Sequence, residues 1–309
     1  MSDSRPVNRG ASAQPPEVAS RLDPAGVRNS FDRASADYEA AAVLQARVGD
    51  EVLERLDFFK LVPGTVLDLG AGTGRITGEL KRRYRRANVV AVDLAPGMLR
   101  EARKHMGLFR RFGRVCGDVR RLPFKDASVD IAVSNLMLQW CDDLDLAFRE
   151  VRRVLKPDGL FAFTTFGPDT LKELRNAWAA VDDYSHVNTF IDMHDIGDAL
   201  VRAGLTEPVL DVERMTLTYA DVLALMRDLK AIGAHNVTAG RSRALMGRNA
   251  LRRVAAAYEP ARREGRIPAT YEVVYGAAWG RAGKRAASAV DGEVRISPSA
   301  IRHRGRPGP

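Results

Sequence analysis

The chain has 309 residues, of which 48 are Lys or Arg, 39 Asp or Glu and five His, for a formal net charge of +9 at pH 7. That length buries a full core and exceeds one ordinary domain of about 100 to 200 residues, so one domain with additions is expected. No apolar run approaches the roughly 18 residues of a membrane span, and the opening MSDSRPVNRGASAQPPE has no apolar signal stretch. A cytoplasmic protein without a membrane anchor is the expectation. Cys116 and Cys141 lie in or beside predicted strands, with no disulfide or metal spacing, and read as small core residues. The charge is unevenly spread: Arg281 to Pro309 carries seven basic and two acidic residues, a net of +5. That stretch is rich in Gly, Pro, Ser and Arg and is expected to be a disordered basic tail, residues 281–309, as residues 1–26 are a disordered leader. With the excess charge in the tail and no base-reading motif, a nucleic-acid partner is disfavoured.

In chain order, the segment from Val27 through Tyr38 and EAAAVLQARVGDEVLERL has helical period. It precedes the first strand and is placed to fold over a ligand as a lid, with Tyr38 facing inward or standing as an ordinary half-buried tyrosine. Thr65 to Gly74, TVLDLGAGTG, reads as a buried strand running into glycines at 70, 72 and 74, and RITGELKRRY reads as a helix. A dinucleotide loop needs G-x-G-x-x-G, and Arg75 stands where the third glycine belongs. Asp68 in the strand suits a cationic ligand rather than a phosphate. S-adenosyl-L-methionine, with an ammonium, a sulfonium and no phosphate, fits, and DLGAGTG resembles motif I of the class I methyltransferases.

Asn88 to Asp93 is a second apolar strand ending in an acid, placed for ribose hydroxyls. Leu94 opens the next helix, with Met98 near an adenine face. Arg114 to Val119 is a short strand whose Asp118 is placed for an adenine amino group. Three acids at three successive strand ends mark the carboxyl edge of an open parallel sheet, where such folds bind ligands. Val129 to Asn135 is the fourth strand, with Asn135 near the transferable methyl and Trp140 beyond it as a cation-π candidate. A helix over Leu144 to Leu155 stops at Lys156-Pro-Asp-Gly159, and Leu160 to Thr165 is the fifth strand. Thr170-Leu-Lys-Glu173 predicts a capping box for a helix through Val181. A helix over Met193 to Ala203 and strands over Val209 to Thr218 and Tyr271 to Ala278 complete the chain. The sum is an α/β fold, a doubly wound seven-stranded Rossmann-like sheet.

The stretch 219–268 is too long for a hairpin and reads as a helical insert before the last strand. Its first helix puts Val222, Leu225, Met226, Leu229 and Ile232 inward and Arg227 and Lys230 on another face. Arg241 and Arg243 follow in a turn-rich stretch. Above the carboxyl edge, such cations imply an anionic substrate or an acidic partner, while the other arginines read as a solvated face.

From about Val27 to Ala278 the chain resembles the malonyl-acyl carrier protein O-methyltransferases of biotin synthesis. The matches are FDRASADYEAAAVLQ, SNLMLQWCDDL, LKELRNAWAAVD, HVNTF, LMRDLKAIGAHN followed by GR, and PATYEVVYG. The resemblance implies a methyltransferase domain over 27–280 in which Asp68, Gly70, Gly72, Asp93, Met98, Asp118 and Val119 line the S-adenosylmethionine site, beside Ala71, Leu94 and Asn135. It implies no metal, an acidic carrier protein as partner, and a monomer. One of Arg227, Arg241 or Arg243 is expected to hold the malonyl carboxylate through two parallel hydrogen bonds, with Lys230 among the cations that dock the carrier protein and Tyr38 close by. The departures are the basic tail and Ala71, where some relatives have cysteine. Alternatives left open are the arginine-hydroxylating complex I assembly factor of the same branch, a nucleic-acid or small-molecule methyltransferase, and a cofactor-binding assembly protein without catalysis.

Overall fold

The computed structural model describes residues 22–182, 184, 186–234 and 247–281. The expectations for residues 1–21 and 282–309, and for Arg241 and Arg243, lie outside the described residues. Seven strands form one sheet in the order β3-β2-β1-β4-β5-β7-β6. They are β1 (Thr65–Leu69), β2 (Asn88–Asp93), β3 (Gly113–Cys116), β4 (Val129–Ser134), β5 (Leu155–Phe166), β6 (Thr206–Tyr219) and β7 (Ile267–Trp279). The first five run parallel, whereas β7 is antiparallel to both β5 and β6. The order reverses between β1 and β4, and that switch point is where open parallel sheets bind ligands.

Near-continuous apolar runs such as Val66-Leu67 and Ile131-Ala132-Val133 make strands buried on both faces, which helices must cover. Successive side chains alternate between two cores. Val66, Ile131, Val133 and Leu160 join Leu44, Val48 and Tyr271 on one face. Leu67, Leu69, Ala132 and Phe161 join Phe148 and Phe163 on the other. Helices α1 (Pro24–Ala34), α2 (Tyr38–Ala41) and α3 (Val43–Arg55) precede β1, with α4 (Arg75–Arg83), α5 (Pro96–Glu101) and α6 (Leu144–Val154) in the crossovers. Between β5 and β6 lie α7 (Lys172–Ala179) and α8 (Met193–Ala203), and the insert between β6 and β7 holds α9 (Val222–Ala231) and α10 (Arg248–Tyr258).

Several local expectations are corrected. Helix α1 starts at Pro24, ahead of Val27, because the Asp23 carboxylate accepts from the Ala25 N–H at 3.1 Å and Pro suits the first turn. Strand β5 begins at Leu155, running through the Lys156–Gly159 turn instead of after it. The capping box at Thr170 and Glu173 does not form. The Thr170 hydroxyl accepts from the Glu272 N–H (3.0 Å) and donates to the Glu272 carbonyl (3.1 Å), while the Glu173 carboxylate accepts from the Thr270 N–H at 3.1 Å and from its hydroxyl. Both side chains thus bond to β7. The helix begins two residues later, after Leu171 in a left-handed turn. Cys116 is exposed rather than in the core, and Cys141 is half-buried.

Candidate active site

The site is built where β1, β2 and β4 end. The N–H groups of Gly70 and Ala71 donate to the Val92 carbonyl at 2.8 and 3.0 Å, hooking the glycine turn onto β2. Asp93 tightens it: one carboxylate oxygen accepts from the Gly72 N–H and the other from the Ala95 N–H, both at 2.8 Å. Gly70 has φ of +73°, and a β-carbon there would lie 2.2 Å from Cγ of Met137, so glycine is required on both counts. At Gly72 (φ +55°) nothing lies within 4 Å of that position, leaving bare backbone facing a ligand.

A cavity of about 110 Å³ lies above this turn. Of the residues expected to hold the cofactor, Gly70, Gly72, Asp93, Leu94, Met98, Asp118, Val119 and Asn135 line it. Asp68 and Ala71 do not. Asp68 is 1% exposed and lies beneath the turn, accepting a 2.6 Å hydrogen bond from the Thr77 hydroxyl of α4. Burial pushes its carboxyl up to about 7, with the Thr77 hydroxyl opposing and the Asp93 charge adding to the rise. It is buried beneath the turn and bonded to α4, rather than on the cavity lining.

Burial also raises Asp93, offset in part by the N–H groups it accepts from. Asp118 goes the other way: the rise from burial is outweighed by Arg120, whose guanidinium binds both carboxylate oxygens, at 3.0 and 2.7 Å. Arg120 lines the cavity and was not foreseen from the sequence. Burial, and then the Asp93 charge, hold the Tyr38 phenol far above its ordinary value, so it is a neutral donor at pH 7. Asn135 is fixed by donating to the Gln45 carbonyl at 3.0 Å and accepting from the Thr164 hydroxyl at 2.9 Å. The same hydroxyl accepts from the Leu136 N–H at 2.9 Å and holds Leu136 at a φ of +48°, a strained conformation of the kind that clusters at functional sites.

A second cavity of about 950 Å³ lies beside the first, toward the insert. Phe31, Tyr38, Leu136 and Trp140 line both and form the partition between them. Phe31 packs edge-on against Trp140 with ring centroids 5.2 Å apart and against Tyr38 at 6.5 Å. The larger cavity has an aromatic body of Phe166, Trp178, Phe190 and Tyr271. Its cations are Arg33 of α1 and Arg227 and Lys230 of α9, with Asp37 and Asp228 also on the lining. Neither Arg227 nor Lys230 is in an ion pair with another described residue. Sequence reasoning placed Arg227 and Lys230 here and missed Phe31, seven positions before Tyr38, although the two share one predicted lid.

Residues 67–163 match the family described as "Methyltransferase domain". The chain is 55% identical over 264 residues to the malonyl-acyl carrier protein O-methyltransferase of Methylovorus sp. (strain MP688), covering 84% of this chain and 89% of that protein. The chain belongs to the malonyl-acyl carrier protein O-methyltransferase family. The family's protein of the same name from Laribacter hongkongensis is 56% identical over 265 residues, covering 83% and 89%. Among solved structures, the YcgJ protein of Bacillus subtilis superimposes with a TM-score of 0.52 at 18% identity, covering 76% of this chain and 99% of that one. A phosphoethanolamine N-methyltransferase of Haemonchus contortus in complex with S-adenosyl-L-methionine gives 0.50 at 19%, covering 82% and 60%. These two likenesses bear on the fold alone.

The chemistry of the small cavity fits the methyl donor S-adenosylmethionine. Two carboxylates, Asp93 and Asp118, offer acceptors for hydroxyl and amino groups, Leu94, Met98 and Val119 offer apolar faces, and Gly72 offers open backbone. Among the described residues, no helix is long and apolar enough to cross a membrane, and no group of three or more His, Cys, Asp or Glu could hold a metal.

Proposed function

We propose that this chain methylates the free carboxylate of a malonyl group carried on acyl carrier protein, with S-adenosylmethionine as donor, as the names of its relatives indicate for those proteins. The observation that carries this reading is the shared partition: a pocket of adenosine-binding character and a larger cavity with Arg227 and Lys230 meet across Phe31, Tyr38, Leu136 and Trp140. Bound S-adenosylmethionine supplies an electrophilic methyl group on a sulfonium. A carboxylate is already ionised at neutral pH, so its oxygen needs no general base. The protein's work is then positioning and exclusion of water. Arg227 or Lys230 holds the carboxylate as its counter-ion, arginine through two parallel hydrogen bonds. Tyr38, kept protonated, donates a hydrogen bond at the partition, and Phe31, Leu136 and Trp140 keep the junction dry. The reading assigns catalysis to residues 27–280 of a cytoplasmic monomer, with the acidic carrier protein drawn by the basic insert.

The test is mass spectrometry of malonyl-acyl carrier protein incubated with the enzyme and S-adenosylmethionine, with acetyl-acyl carrier protein as control. A gain of one methyl group on the malonyl species alone is expected. No gain on either species while S-adenosylmethionine still binds would overturn the reading and favour the arginine-modifying branch or a non-catalytic assembly role.

A further inference from the structure

The motif HVNTF, residues 186–190, has no part in methyl transfer as described, yet the fold brings it to the larger cavity, where His186, Val187, Asn188 and Phe190 all line the wall. The segment is anchored at its start. His186 stacks on Trp178 with ring centroids 3.7 Å apart, and its Nε2 lies 2.8 Å from a carboxylate oxygen of Asp182. It is anchored at its end by Phe190, edge-on to Phe166 at 5.6 Å. Between these anchors sits Asn188, 8% exposed, whose side-chain oxygen has no hydrogen-bond partner. A second lining residue, Gln45 of α3, has the same defect: its side-chain oxygen is buried and unpaired.

A buried carboxamide oxygen without a donor is left desolvated and uncompensated by hydrogen bonding, and two in one cavity call for a ligand that brings donors. A malonyl group brings none: ionised, it has only acceptors. The thioester arm that ties an acyl group to a carrier protein does, since pantetheine is an extended chain with two secondary amides, each with one N–H and one carbonyl. Its methylene and dimethyl groups suit a wall of Phe166, Phe190 and Tyr271, and a cavity of about 950 Å³ is far larger than a three-carbon acid needs.

We propose that Asn188 and Gln45 receive the amide N–H groups of the pantetheine arm, and that the segment His186–Phe190 is the arm's binding wall. The inference rests on the malonyl thioester reading above and extends it to what lies beyond the malonyl group. It makes Asn188 and Gln45 specificity determinants between an arm-borne malonyl group and a bare malonyl thioester.

The test compares malonyl-pantetheine, with two amides, against S-ethyl malonyl thioester, with none, in wild type, Asn188→Ala and the near-isosteric Asn188→Leu, which has no acceptor, with thermal melting to verify folding. Wild type is expected to favour the pantetheine substrate in kcat/KM, and each variant to lose about tenfold of that preference through KM, the worth of one buried hydrogen bond. A variant that melts as wild type and loses activity equally on both substrates, or on neither, overturns the proposal. Calorimetric titration with pantetheine itself separates the two readings. Binding by wild type weakened in Asn188→Leu sustains the arm site even without methylation of any malonyl thioester, whereas unweakened binding or none overturns it.

Discussion

Replacing Thr77 by valine removes one hydroxyl from the support beneath the glycine turn while keeping its volume. Thr77 is fully buried, and its hydroxyl is 2.6 Å from Asp68, which is 1% exposed. Burial, opposed by that hydroxyl, places the Asp68 carboxyl at about 7, against about 3.9 in an unfolded chain, a difference of about 4 kcal/mol between its protonated and ionised forms. The folded chain therefore holds this proton more tightly than the unfolded one. The stability that Asp68 contributes is fully present below about pH 4 and is lost as pH rises to about 7. Valine strips the ionised form of a charge-assisted bond worth about 1.5 to 3 kcal/mol and the protonated form of a neutral one worth about 1. Urea unfolding followed by tryptophan fluorescence should show Thr77→Val less stable by about 2 kcal/mol at pH 8 and about 1 kcal/mol at pH 5. A gap equal at the two pH values, or larger at pH 5, would refute the assignment of a charged, hydroxyl-supported Asp68.

Arg227→Gln and Lys230→Gln should each raise KM for the malonyl substrate, by about tenfold or more for the arginine because it alone can bind a carboxylate with two parallel bonds. Binding of S-adenosylmethionine, titrated separately, should not change, and a cofactor affinity that falls with KM would place these cations elsewhere. Gly276 faces Phe163 across β5 and β7, and a β-carbon there would lie 2.2 Å from the ring. Gly276→Ala should therefore destabilise the sheet by about 1 to 3 kcal/mol through overpacking, and an unchanged melting temperature would contradict that packing.

The parts of the fold legible in the sequence were those whose signals are local. Helix α8 matched its expected limits, Met193 to Ala203, because the Asp192 cap and the left-handed Gly204 stop both lie beside it. Strands β1, β2 and β4 were legible because burial on both faces leaves a nearly unbroken apolar run. What failed depended on partners distant in the chain. Thr170 and Glu173 have the spacing of a cap, but β7 arrives about a hundred residues later with better-placed groups. That Asp68, which precedes the glycines, is bonded to the Thr77 hydroxyl beneath them was likewise not visible, because it depends on the packing of α4 over β1. Most of the small cavity's lining was readable since it gathers at or just beyond the ends of β1 to β4. The partition was readable only in part: Tyr38 and Trp140 stood out, but that the stretches 31–38 and 136–140 meet is a matter of the tertiary fold.

Helix α1 is held to the insert as well as to the turn after β4: Ser30 donates to the Gly233 carbonyl at 2.9 Å, and its neighbour Phe31 leans on Trp140. One short helix thus roofs two chambers. Because Phe31 lines both cavities and Ser30 is tied to the insert, a displacement of this helix would alter the walls of both chambers at once.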